Sequence, residues 1–164
     1  MSDNTIFRYA IGSDHAGFAL KQELVKQFQQ KNIVTVDCGT TGFESCDYPD
    51  FARAAALEIL AGRADRAILL CGSGVGICVA ANKFPGIRAA VCHDTYSARQ
   101  GVEHDDMNAL CIGARVIGPE LAFEVVRAFI AARYIRNERY ARRLEKVLDI
   151  ERRALQGEYT KRGF

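Results

Sequence analysis

The residues with the most chemistry in this 164-residue chain are a thiol and a hydroxyl set among glycines, Cys71-Gly72-Ser73-Gly74-Val75-Gly76. The apolar run 67–70 before them reads as a buried strand, and 75–82 behind them as a short helix. Cys71 is then expected at a strand's end, facing backbone amides just ahead of a helix. Such a place holds anions and suits a thiol that must give up its proton to work. Gly72, Gly74 and Gly76 permit close backbone approach, by a ligand or by packing alone. The sulfur and hydroxyl among them favour a ligand.

Several familiar uses of such a loop fail on particular residues. The dinucleotide fingerprint G-x-G-x-x-G belongs after the first strand, where Gly12-Ser13-Asp14-His15 lacks the glycines, and no Walker lysine follows at the required spacing. A cysteine phosphatase wants an arginine about six residues after its thiol to fork the phosphate oxygens, and Ile77 holds that place. The three histidines, His15, His93 and His104, each adjoin an aspartate that could hold a ring tautomer or simply belong to a polar loop. None of the six cysteines is spaced C-x-x-C, and Cys71, His15 and His104 have no local ligand spacing, so no metal is expected. Asp47-Tyr48-Pro49 reads equally as a helix entry or as one wall of a site for a small polar substrate.

The scaffold that must hold these residues is written in the hydrophobic pattern. Strands are expected at 7–12, 33–37, 67–70, 88–92 and 108–112, and helices at 18–30, 48–61, 75–82, 95–101 and 119–134. This alternation argues for a parallel, three-layer α/β sandwich whose strand C-termini share one rim, where ligands of open sheets bind. Three rim loops carry suggestive side chains: Ser13-Asp14-His15, 71–76 and His93-Asp94. A further charged helix, 137–156, carries Tyr140, Leu144, Val147, Leu148 and Leu155 at helical spacing; with the sheet already covered, it would pack best on another subunit. A single domain over 1–156 and a frayed tail over 157–164 are expected.

Composition narrows the classes. Hydrophobic residues make up 49% and charged residues 26%, ordinary for a globular protein, and a net charge of +2 is too small to argue for nucleic acid. No apolar run reaches membrane-spanning length, and residues 1–8 lack the apolar core of a secretory signal, so a reducing cytoplasm is expected. Basic residues crowd the C-terminal part, either as a solvated helix face or toward an anionic ligand or partner.

Taken in order, Gly12-Ser13-Asp14-His15-Ala16-Gly17, Asp47-Tyr48-Pro49, 71–76, Ala80-Ala81-Asn82-Lys83, Gly86-Ile87-Arg88-Ala89, Tyr96-Ser97-Ala98 and Gly113-Ala114-Arg115 resemble the ribose-5-phosphate isomerase type B family, which also holds allose- and galactose-6-phosphate isomerases. The resemblance implies a Rossmann-like sandwich, a homodimer (or a tetramer built from it) with sites between subunits, and neither metal nor cofactor. It implies aldose–ketose interconversion through a cis-enediolate, with Cys71 as the proton-transfer base. Ser73 and the loop amides of Gly72, Gly74, Val75 and Gly76 would hold the oxyanion, and His104 would help open the furanose ring. Asp14 and Tyr48 fall on sugar-contacting positions, and His15, Arg115, Arg139 and Arg143 on or near phosphate positions. Asp105 replaces the asparagine usual after the ring-opening histidine. The segment Asn137-Glu138-Arg139-Tyr140 stands where the family has Gly-Gly-Arg-His, with a one-residue insertion, so Arg136 or Arg142 could substitute for the pair.

Topology adds an expectation of its own. His104 precedes the last strand and therefore belongs to the rim opposite Cys71, so the two should meet only across a subunit boundary. The expected reaction is the interconversion of D-ribose 5-phosphate and D-ribulose 5-phosphate. A hexose-6-phosphate isomerase and a noncatalytic sugar-phosphate-binding subunit or sensor are the alternatives.

Overall fold

The computed structural model describes residues 7–160, which form five strands and six helices. In chain order these are β1 (Arg8–Ser13), α1 (Phe18–Gln30), β2 (Val34–Asp37), α2 (Tyr48–Leu60), β3 (Arg66–Cys71), α3 (Val75–Ala81), β4 (Ala89–Val91), α4 (Thr95–Asp105), β5 (Ala109–Gly113), α5 (Pro119–Ala131) and α6 (Glu138–Leu155). The strands form one parallel sheet in the order β2-β1-β3-β5-β4. This is the three-layer α/β sandwich expected from the alternation.

Both faces of the sheet are covered, which is why the middles of its central strands are apolar. One face packs Ile11, Ile68, Leu70, Leu110 and Ile112 against helix residues such as Leu24, Phe28, Val102 and Phe129. The other packs Leu69, Cys71 and Cys111 against Ala52, Ala55, Ala56 and Ile77, whose small side chains let α2 and α3 lie close to the strands. Each fully buried leucine or isoleucine contributes about 1.5–3 kcal/mol.

Several boundaries differ from expectation for identifiable reasons. Strand β3 starts one residue early, at Arg66, and this arginine is buried because its Nη1 donates to the carbonyls of Phe129 and Ala132 at 2.9 and 3.0 Å. Those bonds satisfy carbonyls at the end of α5, which closes at Ala131 rather than running to 134. Strand β4 covers only three residues, Ala89–Val91, because the Arg88 N–H donates to the Asn108 side-chain Oδ1 at 2.8 Å rather than to a strand carbonyl, while its guanidinium pairs with Asp106 at 2.7 Å. Helix α4 continues past Gly101 to Asp105 and ends on Asp106, whose φ is +50°.

Helix α6 differs from the rest in burying no residue at all. It is tied to the body by Glu151, whose carboxylate accepts the Gly86 N–H at 3.0 and 3.1 Å, and by Tyr140, whose ring stacks on that of His104. The residues beyond it form a turn over 157–160, closed by Thr160 N–H to the Gly157 carbonyl. The rest of the expected frayed tail lies outside the described residues. Among these, no helix is long and apolar enough to cross a membrane.

Candidate active site

The direction of strand addition reverses between β1 and β3: from β1 the chain adds β2 on one side and then β3 on the other. The loops leaving these two strands therefore diverge, opening the crevice at which open α/β sheets bind ligands. The first loop supplies Asp14 and His15, and the second supplies Cys71 through Gly76.

Backbone packing fixes both loops. The Asp14 N–H donates to the Leu70 carbonyl at 3.3 Å, and the Asp14 carboxylate accepts the Ala16 and Gly17 N–H groups at 2.9 and 3.2 Å. Gly17 must be glycine, since a Cβ there would lie 2.7 Å from the Leu70 Cβ. A third loop, after β5, closes from the side, with Ala114 N–H donating to the Cys71 carbonyl at 2.9 Å and Arg115 N–H to the Gly72 carbonyl at 3.0 Å.

Cys71 is buried at the end of β3, and the Gly74 N–H donates to its Sγ at 3.1 Å. Gly74 then takes φ +80°, a left-handed conformation that side chains resist, to lead the chain into α3. The Ser73 hydroxyl turns outward and accepts the Val75 N–H at 3.2 Å. Tyr48 opens α2 directly over the loop, so close that a Cβ on Gly76 would meet its ring at 2.8 Å. The Arg115 guanidinium lies over Gly72, where an added Cβ would sit 3.5 Å from Nη1. His15 accepts the Cys46 N–H on Nδ1 at 3.2 Å, so the neutral ring carries its proton on Nε2. Thus Asp14, His15, Tyr48, Cys71 to Gly76 and Arg115 gather at one rim, offering a sulfur, a hydroxyl, backbone donors and a guanidinium within one crevice.

His104, Asp105, Arg139 and Arg143 gather elsewhere. Helix α4 leaves β4 at the Cys71 rim, and His104, nine residues after Thr95, lies about 13 Å further along its axis, toward the opposite rim. Helix α6 begins beside it, because the Ile135 N–H donates to the Glu103 carbonyl at 2.9 Å and Tyr140 stacks on His104 with ring centroids 4.0 Å apart. Arg139 and Arg143 are exposed on α6 with four-residue spacing, on one helix face. Asp105 is exposed at the end of α4 and borders the cavity under α6. Within one chain the candidate residues form two groups.

Residues 9–147 match the model of the Ribose/Galactose Isomerase family. The chain belongs to this family. It is 44% identical over 146 residues to ribose-5-phosphate isomerase B of Escherichia coli (strain K12), covering 89% of this chain and 97% of that one. To D-erythrulose-4-phosphate isomerase of Pectobacterium atrosepticum it is 46% identical over 127 residues, covering 76% and 83%. The solved Clostridium thermocellum ribose-5-phosphate isomerase B superposes with a TM-score of 0.86 at 44% identity, covering 90% of this chain and 99% of that one.

Two contacts among the candidate residues of this family member escaped the sequence reading. His93, grouped with the rim loops, accepts the Gly113 N–H on Nε2 at 2.9 Å and so anchors the end of β5. Gln100 lies 2.8 Å from His104 Nδ1. Ending the fourth helix at Gly101 hid this pair, which is plain as an i,i+4 spacing once the helix is carried to 105.

Proposed function

We propose that this chain interconverts D-ribose 5-phosphate and D-ribulose 5-phosphate through a cis-enediolate, in a homodimer whose two sites each draw on both subunits. The observation that carries the reading is Cys71 Sγ at 3.1 Å from the Gly74 N–H, inside a glycine turn at the strand reversal. An amide hydrogen aimed at the sulfur gives a thiolate's charge a partner.

In the forward direction the Cys71 thiolate takes the proton from C2 of the open-chain aldose. The C–H electron pair becomes the C1–C2 double bond, and the carbonyl pair moves onto O1. The proton on O2 passes to O1, and the thiol returns its proton to C1, leaving the carbonyl at C2. Negative charge thus builds on oxygen, where Ser73 and the loop amides are donors; loss of one such donor costs about 3–4 kcal/mol in comparable sites. Asp14 and Tyr48 contact the sugar. His15 and Arg115, with the partner subunit's Arg139 and Arg143, hold the phosphate, a remote handle whose binding orients the reacting carbons. His104 of the partner subunit opens the furanose ring, and Asp105 beside it faces a sugar hydroxyl. No cofactor takes part.

Sharing between subunits supplies the test. Cys71→Ala and His104→Ala homodimers should each be inactive on D-ribose 5-phosphate. Equimolar mixing after dissociation and reassembly should recover about one quarter of wild-type activity, since half the dimers are mixed and each has one intact site. No recovery, with mixed dimers demonstrated by mass spectrometry, would sink the shared site. Cys71→Ala should keep inorganic phosphate affinity within about threefold, because handle and base are separate groups. Binding of ribose 5-phosphate without turnover by the reduced wild type would instead favour a noncatalytic subunit.

A four-carbon substrate is the second reading, favoured by the 46% identity to D-erythrulose-4-phosphate isomerase. Comparing kcat/KM on ribose 5-phosphate, allose 6-phosphate and erythrulose 4-phosphate ranks the pentose, hexose and tetrose assignments directly.

A further inference from the structure

We propose that Gln100 and Tyr140 are positioning residues that hold His104 so that Nε2 is the ring nitrogen presented to the sugar; this rests on the ring-opening role given to His104 above. Two contacts carry it. Gln100, one turn earlier on α4, occupies Nδ1 at 2.8 Å. Tyr140, from the first turn of α6, covers one face of the ring, with centroids 4.0 Å apart and planes inclined by 19°. With one nitrogen and one face taken, Nε2 alone is left for proton transfer. Tyr140 is itself placed by a helix cap, since the Asn137 side chain accepts the Tyr140 N–H at 2.9 Å.

A carboxamide suits this place because it can offer its NH2 to a bare Nδ1 or, turned over, its carbonyl to Nδ1–H. Ring opening then balances. The structure sets Gln100 Nε2 against Nδ1; with the amide turned over, its carbonyl holds a proton on Nδ1 and the Nε2 lone pair accepts the proton of the anomeric hydroxyl. The C1–O4 bond breaks as the C1–O1 carbonyl forms, and Nε2–H returns the proton to O4. Imidazole is regenerated, and the net change is one proton moved from O1 to O4.

Sugar phosphates differ in their need for this step. Ribose 5-phosphate closes a furanose through O4, whereas an aldotetrose 4-phosphate has O4 esterified and cannot close a five-membered ring. A loosened His104 should therefore slow the pentose and spare the tetrose, whereas damage to the dimer, the phosphate site or Cys71 would slow both.

The experiment pairs turnover with nitrogen-15 NMR of the histidine rings in the full-length protein. Gln100→Leu and Tyr140→Leu should each lower kcat on ribose 5-phosphate about tenfold, leave erythrose 4-phosphate turnover within twofold, and move the His104 ring signals. Tyr140→Phe keeps the stacked ring and should retain both activities. Equal losses on both sugars, or no loss on the pentose, would overturn the proposal. So would His104 signals unmoved by both leucine variants, a result that decides the matter alone if either sugar is not turned over. His104→Ala fully active on ribose 5-phosphate would instead remove the ring-opening role, with the spectra still reporting the cradle.

Discussion

At the Cys71 rim the candidate loops are held by main-chain hydrogen bonds: the Gly74 amide is aimed at the Cys71 sulfur, the Asp14 N–H is tied to the end of β3, and the Arg115 N–H to the carbonyl of Gly72. At the other rim the candidates ride on helix surfaces, and α6, which carries Arg139, Tyr140 and Arg143, buries nothing. One group is fixed by the sheet and its loops, and the other, in the proposed shared site, depends on what covers a helix. In the proposed reaction the carbon-to-carbon proton transfer by Cys71 draws on the first, whereas His104 and the arginines of α6 rely on the second being held in place.

The largest expected effect comes from breaking the dependent half. Leu148, 41% exposed on α6, borders a cavity of about 660 Å³ between that helix and the body. In the proposed homodimer this face of α6 is covered, and a carboxylate in a covered apolar contact is costly, so Leu148→Asp should give monomers and lower turnover by about 100-fold, by analogy with central interface anchors. Sedimentation and the isomerisation assay read the two effects. A variant that stays dimeric and active would place the contact elsewhere.

The rigid half should answer differently, through stability. Gly74 and Gly86 share left-handed backbone, with φ +80° and +85°. A Cβ on Gly74 would lie 2.9 Å from both the Gly113 nitrogen and the Ile112 carbonyl carbon, whereas one on Gly86 would find only Leu60 Cδ2 at 3.5 Å. Gly74→Ala should cost about 2–4 kcal/mol in urea unfolding and Gly86→Ala about 1 kcal/mol, the difference being the packing contribution. Equal costs would mean the loop can shift, and its rigidity would no longer separate the two halves.

The same contrast governs what could be read from sequence. The β3–loop–α3 unit was legible because a buried apolar run, glycine spacing and a short helix are all local signals, and the parallel sheet around it followed from alternation; the strand order, with its reversal between β1 and β3, has no such local signal. The partners of His104 were not, because Gly101 looked like a helix end. The helix passes through it, and Met107 packs against that position, where an added Cβ would meet Sδ at 3.1 Å. Buried charges were equally silent. Lys21, 1% exposed, pairs with Asp37 at 2.5 Å, and Arg66 spends its guanidinium on the end of α5. Both pairings join residues far apart in sequence, and no periodicity encodes them.

The smallest effect probes the floor beneath the rigid loop. On α3, Cys78 is held down to about 7, first by a hydrogen bond with the Cys111 thiol of β5, with Asn82 and the Val91 backbone adding to it, while burial opposes them. Burial pushes Cys38 and Cys92 up to about 11. Thiolates are the alkylated species, so Cys78 should react with iodoacetamide along a curve whose midpoint lies near pH 7. It should fall about tenfold for each unit below that, while Cys38 and Cys92 stay slow through pH 9. Peptide mass spectrometry separates the six sites. Cys111→Ala removes the principal hydrogen bond and should raise the Cys78 midpoint toward the ordinary thiol value of 9.0. A midpoint unmoved by that substitution would mean that β5 does not hold the α3 thiol, and that the loop before α3 is fixed by Gly74 and Gly113 without it.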